Sequence, residues 1–265
     1  MSALLSIRNV TRRFSGLTAI DDVSFDVSEG QVVGLIGPNG AGKTTMINVI
    51  TGITPPTSGD VLLRGTSLVG HQPDAIARKG IGRTFQHIRL FNELSVVENV
   101  MVGLDNTMSY GYVAAALGLA HIRRAEEEAR TKALEILQRV DPTLRKRSEL
   151  CASSLPYADK RRLEIARALA LNPALLLLDE PAAGMAPREM QSLAEDLKRL
   201  EGNGTALILI EHKMRLIEGV TQKVVVLDQG RKIFEGPFEA VQKDPDVVKA
   251  YLGGGYADSA VAAAN

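Results

Sequence analysis

The chain has 265 residues, of which 45% are hydrophobic and 23% charged, an ordinary globular composition able to bury one large α/β core. Its 31 basic and 31 acidic residues balance, which excludes a global field that would gather nucleic acid or anionic lipid. Cys151 is the only cysteine, so an intrachain disulfide and a cysteine-built zinc cluster are excluded as well.

In chain order, "MSALLSIRNV" lacks the charged-then-apolar pattern of a signal peptide, and the longest apolar runs, "ALLLLD" and "TALILIE", only reach strand length. A cytoplasmic chain is expected, with any membrane role falling to a partner subunit. "LLSIRNV", "AIDDVSFDV" and "GDVLLRG" alternate apolar with polar residues, which predicts half-exposed antiparallel strands, with a turn at "PPTSGD", 55–60. "QVVGLIG" at 31–37 predicts a buried strand, and "TTMINVITG" a helix stopping at Gly52.

Residues 95–150 change character. "SVVENVMVGL" reads as a helix, and from about 122 "IRRAEEEARTKALEILQRV" puts Ala125, Ala129, Ala133, Ile136 and Val140 on one face. The charges around that stripe read as a solvated helix face. "NTMSYGYVAAALGLA" between them carries no clear pattern. A helical insertion over about 90–158 is expected, flanked by core segments 1–89 and 159–243. Beyond "SSLPYADKRRLEIARAL" at 153–169, "ALLLLDE", "PREMQSLAEDLKRLEG", "TALILIEH" and "KMRLIEGV" alternate strand and helix. "KVVVLDQGRKIFEG" reads as a strand pair turning at Gln229-Gly230. The alternation implies a mostly parallel sheet covered on both faces. A short helix is expected at 244–253, and the remaining tail has little to pack.

Two motifs carry chemistry. Gly37, Pro38, Asn39, Gly40, Ala41, Gly42, Lys43 and Thr44 fit G-x-x-x-x-G-K-[ST] on the required strand-to-helix junction, with Thr45 next in the helix. Glycines there let backbone N–H groups close around a phosphate, and the helix adds its positive end. Lys43 is placed on the β/γ-phosphates and the Thr44 hydroxyl on Mg²⁺. "LLLLDE" at 175–180 ends a strand in two carboxylates: Asp179 to hold Mg²⁺ through water, and Glu180 to polarise the attacking water.

Together these stretches resemble the ATP-binding subunit of an ABC transporter, from about residue 5 to 253. The implied fold class is α/β: a P-loop NTPase (ABC ATPase) core with a mostly parallel sheet, an N-terminal antiparallel β subdomain and an inserted helical subdomain. The resemblance further implies that Gln86, in "GRTFQHIRLF", joins the core to the helical subdomain and reaches the catalytic site and its metal. It implies that His212, in "LILIEHKM", belongs to catalysis and that Phe14, in "TRRFSGLTAI", stacks on adenine.

The 153–169 stretch occupies the family's signature position, usually LSGGQ, which faces the partner subunit's nucleotide across a head-to-tail dimer. Here it runs Leu155, Pro156, Tyr157, Ala158, Asp159. Pro156 offers no hydroxyl and Ala158 replaces a glycine. A lost charge-assisted hydrogen bond of this kind costs about 1.5–3 kcal/mol, enough to slow catalysis without abolishing it. The acid usual after the second motif is also absent, with Ala186 in its place.

"LPYADKRRLEIARAL", "ARKGIGRTFQHIRLFNELSVVENV" and "DPDVVKAYLG" resemble the high-affinity branched-chain amino acid importers and their urea and short-amide relatives. That likeness implies ATP and Mg²⁺, and a second ATPase subunit, either a different chain or a second copy. It also implies two membrane permease subunits, a periplasmic binding protein reached indirectly, no nucleic acid, and a position on the inner face of the cell membrane. The alternative is a soluble ABC ATPase acting on nucleic acid or ribosomes, although such proteins usually carry paired ATPase units or basic arms.

Overall fold

The computed structural model describes residues 3–104, 120–202 and 204–252; the patternless stretch at 106–119 and the tail from 253 lie outside these. Four strands, β1 (Ala3–Phe14), β2 (Leu17–Ser28), β4 (Ser58–Leu63) and β5 (Thr66–Ser67), form an antiparallel sheet in the order β2-β1-β4-β5. Six more, β3 (Val32–Ile36), β6 (Ile81–Arg83), β7 (Leu175–Asp179), β8 (Ala206–Ile210), β9 (Lys223–Asp228) and β10 (Arg231–Gly236), form the second, ordered β10-β9-β3-β8-β7-β6. Its neighbours pair in parallel except the β9–β10 hairpin. That hairpin turns at Gln229 (φ 47) and Gly230 (φ 82), the two left-handed residues that match strand twist.

Every residue of β3, β7 and β8 is buried, so these strands read as unbroken apolar runs. Their two faces still separate with period two. Val33, Leu35, Leu175, Leu177, Ile208 and Ile210 join one core with the antiparallel sheet and α1 (Lys43–Ile50). Val32, Ile36, Leu176, Leu178, Leu207 and Leu209 face a second core made with helices.

Those helices include α3 (Val96–Leu104), α4 (Ala120–Val140), α6 (Tyr157–Leu169) and α7 (Pro187–Gly202), contributing Val100, Ala133, Leu163 and Leu193. Shorter helices are α2 (Pro73–Arg78), α5 (Pro142–Lys146), α8 (Met214–Val220), α9 (Phe238–Val241) and α10 (Pro245–Leu252). The helical stretch expected at 90–158 thus shares one continuous core with the parallel sheet.

The face predicted for α4 needs one correction. Ala129, Ala133, Leu137 and Val140 are buried, whereas Ile136 and Ala125 stay partly exposed. Strict i, i+4 spacing from Ala129 selects Leu137, because residues four apart stack on one helix face.

Since β3, β8, β7 and β6 are parallel neighbours, their C-terminal ends line one edge of the sheet. There the chain leaves into Gly37, Glu211, Glu180 and the 84–95 loop. A crevice beyond the carboxyl ends of parallel strands is where this architecture binds ligands.

Candidate functional site

The loop after β3 is shaped for close backbone approach. Gly37 (φ 149) and Gly42 (φ 102) occupy positive φ, and a Cβ on them would sit 2.0 Å from Leu227 O and 2.6 Å from Ala19 O respectively. Lys43 is buried, and its Nζ donates to Gly37 O (2.8 Å) and Pro38 O (2.9 Å), closing the loop on itself. Two of its three donors are thereby engaged, leaving the third for an anion.

Burial pulls the Lys43 pKa down, opposed by the charges of Glu180 and Asp179. No side chain caps α1, so its first N–H groups are open to a phosphate. The hydroxyl-bearing Thr44 is exposed at that helix start. One hydroxyl and one buried carboxylate beside a phosphate loop suit Mg²⁺, which keeps most of its waters and binds with substrate phosphates.

Glu180 stands just past β7 with both carboxylate oxygens held. Gln86 Nε2 donates to Oε2 (3.2 Å), and His212 Nε2 meets Oε1 (3.0 Å). Three strand ends therefore converge on one carboxylate: β7 supplies Glu180, β8 supplies His212, and the segment after β6 supplies Gln86. Asp179, one residue back, is 5% exposed and faces Arg83 Nη2 at 3.3 Å. Burial pushes its pKa up, and the Arg83 guanidinium works against that rise.

Arg83 also donates to Asn48 Oδ1 (2.7 Å), so it ties β6 and α1 to the second carboxylate motif. Glu211 accepts from the N–H groups of Ala182 (2.7 Å), His212 (3.0 Å) and Lys213 (3.3 Å), fixing the turn that aims His212. Burial raises the Glu211 pKa against those three donors.

Phe14 lies at the tip of the β1–β2 hairpin, 41% exposed, with the Arg12 guanidinium 4.3 Å from its ring centre. It pairs with Leu17, two residues before the Ala19 carbonyl that abuts Gly42, so the hairpin end borders the phosphate loop.

The 155–159 loop has a different setting. Leu155 is buried, and Pro156 and Tyr157 are exposed, with the Tyr157 ring lying over Gly184. Ala158 is buried, and the Asp159 carboxylate is bound to Arg147 and Arg162. The charge of Asp159, expected to border the partner subunit's nucleotide, is engaged by these two arginines of its own subunit. Ala186 donates its N–H to Glu189 Oε2 (2.8 Å) and so starts α7 without an acid of its own.

Arg83, Arg161, Glu164 and Glu211 lie near the site, and sequence reasoning missed them. The only available signal was charge bordering apolar strands, in "GIGRTF" and "LILIEH".

Comparison with known proteins identifies the family. A family model described as "ABC transporter" matches residues 20–183. A second, for the branched-chain amino acid ATP-binding cassette transporter, matches 231–257. The chain is 42% identical to the high-affinity branched-chain amino acid transport ATP-binding protein LivG of Escherichia coli (strain K12), covering 94% of this chain and 98% of that one. It is 41% identical to the corresponding protein BraF of Pseudomonas aeruginosa, with the same coverage. Among solved structures, the ADP conformation of an ATP-binding cassette of an ABC transporter superposes with a TM-score of 0.83 at 31% identity, over 96% of this chain and all of that one.

Proposed function

Because this chain belongs to the ABC transporter family of ATP-binding cassettes, we propose that it is the ATP-hydrolysing subunit of an importer for branched-chain amino acids or closely related small solutes. The observation that carries the reading is Glu180, gripped by Gln86 and His212 at the strand ends beside the Lys43 loop.

The mechanism is positioning and charge. The 37–45 backbone and Lys43 bind the phosphates of ATP, and Phe14 offers its ring to the adenine. Thr44, Asp179 and Gln86 would hold Mg²⁺, which when bound neutralises phosphate charge. Glu180 orients the attacking water and takes up its proton, while His212 and Gln86 keep that carboxylate in place. Such help is worth about 10²–10⁴-fold.

The exposed start of α6, at Pro156 and Tyr157, faces the nucleotide of a second ATPase subunit. Its missing hydroxyl favours a different chain as partner. The likeness to importer ATP-binding subunits supports separate permease subunits that carry the solute; among the described residues no helix is long and apolar enough to cross a membrane. A cavity of about 460 Å³ lined by Arg89, Phe91, Val102 and Arg167 is the place where they would dock. The subunit then sits on the inner face of the membrane, and the solute is delivered to the permease from outside by a binding protein.

ATP turnover by the chain assembled with its co-expressed partner subunits, as wild type and as Glu180→Gln, tests the reading. The variant is expected to lose about 10²-fold or more of the rate while keeping ATP affinity. Equal rates in the two would sink it.

A further inference from the structure

We infer that the buried Arg161–Glu164 pair is a positioning device that sets Gln86 against Glu180 by gripping the backbone that carries it. The inference rests on the reading that Gln86 acts in ATP hydrolysis. Beyond β6, the last sheet hydrogen bond is Thr84 N–H to Leu177 O (2.9 Å), and there the chain leaves the sheet. What holds the next two residues comes from α6. Arg161 Nη1 donates to Phe85 O (2.7 Å) and Nη2 to Gln86 O (2.8 Å), a fork across two successive carbonyls. Glu164 accepts from Phe85 N–H (3.4 Å) through one oxygen and from Arg161 Nη1 (2.7 Å) through the other.

The Gln86 side chain is itself exposed, and its direction depends on this backbone and on its bond to Glu180 Oε2 (3.2 Å). Arg161 is fully buried and Glu164 is 2% exposed. Burying an ion pair is a poor way to gain stability, since apolar residues of the same volume often serve as well or better. Here the pair's hydrogen bonds go to one peptide segment, whose single side chain in the site is Gln86. Arginine suits the task because its planar fork presents two donors at fixed spacing, which a lysine cannot do.

The test is a double-mutant cycle in the transporter assembled from this chain and its co-expressed partners. Arg161→Lys keeps the charge facing Glu164 but loses the fork. It is expected to lower kcat about tenfold while KM for ATP changes less than about twofold, the mark of a group acting only after binding. In a Gln86→Ala background the same change is expected to lower kcat by less than about twofold, because the two act as one unit. Glu164→Gln should repeat the pattern more weakly, and it carries the cycle if Arg161→Lys does not fold. Fluorescent ADP binding to the full chain should stay unchanged in Arg161→Lys and Glu164→Gln.

Equal losses in both backgrounds, or a loss dominated by KM, would overturn the inference and leave the role of Gln86 standing. A Gln86→Ala variant turning over at the wild-type rate would overturn that role and the inference together.

Discussion

Glu180 adopts φ 49, a left-handed backbone that glutamate rarely takes. The conformation persists because its N–H still donates to Ile210 O (2.9 Å), which extends the β7–β8 ladder one residue past the strand. Strain of this kind is stored where surrounding bonds over-determine a residue, and here both carboxylate oxygens are also engaged. The glycines of the phosphate loop show the opposite economy, a residue chosen because any Cβ fails. At Gly42 a Cβ would lie 2.6 Å from Ala19 O and 2.7 Å from Ile20 Cδ1, at φ 102. Gly42→Ala is therefore expected to destabilise the fold by about 1–3 kcal/mol. It should also weaken ATP binding, because the first turn of α1 must shift. Thermal melts and nucleotide titration check both, and an unchanged ATP affinity would show that the loop tolerates the shift.

The elements that bind phosphate were legible because their chemistry is local: one loop's backbone, its lysine and the helix start are contiguous, so nine residues carry the whole instruction. The strand ending in Asp179 and Glu180 was legible for the same reason. What escaped were groups whose meaning lies in distant partners. Arg161 meets Phe85 across 76 residues and Arg83 meets Asp179 across 96, so no window of sequence contains either relation. The close approach of α3 to α6 was equally hidden. Gly103 lies where a Cβ would come within 2.6 Å of Arg167 O and 2.7 Å of Ala170 Cβ, so a glycine inside a helix sets the packing distance. Gly103→Ala should force the two helices apart and destabilise by about 1–3 kcal/mol in urea melts. Gly202→Ala, at the end of α7 with nothing within 4 Å, is the control and should leave stability level or raise it by about 0.4–1 kcal/mol. Equal behaviour of the two would refute the packing argument.

At the scale of the molecule, one arginine joins three helices beneath the exposed end of α6. Arg162 Nε lies 2.6 Å from Asp196 Oδ2 on α7, Nη1 lies 3.2 Å from Asp159 Oδ1 on α6, and Nη2 donates to Ser192 Oγ at 2.7 Å. Asp141, which caps α5 by accepting from Thr143 N–H (2.7 Å), is 3.7 Å from Nε. Arg147 and Arg199 approach the same acids from the rim, with their side chains 40% and 42% exposed. Burial raises the Asp196 pKa, with the neighbouring Asp141 charge adding to it and Arg162 opposing it.

Arg162→Met keeps the length of the side chain and removes the shared buried cation, leaving Asp141, Asp159 and Asp196 with only the half-exposed guanidiniums of Arg147 and Arg199 beside them. Breaking a buried pair this way is expected to destabilise by about 3–5 kcal/mol at neutral pH. The sign of the pH dependence follows from linkage. Without Arg162 the folded-state pKa of Asp196, already raised by burial, moves further above its unfolded value of about 3.9. An acid raised on folding costs stability only once pH exceeds its unfolded pKa, and the cost is fully expressed above its folded pKa. The gap between wild type and variant should therefore be widest at pH 7.5 and narrow as pH falls towards 4. Urea midpoints of both proteins at pH 7.5 and 5.0 measure it. A gap of the same size at both pH values would assign the loss to packing of the arginine stem, and the charge account of this junction would fall.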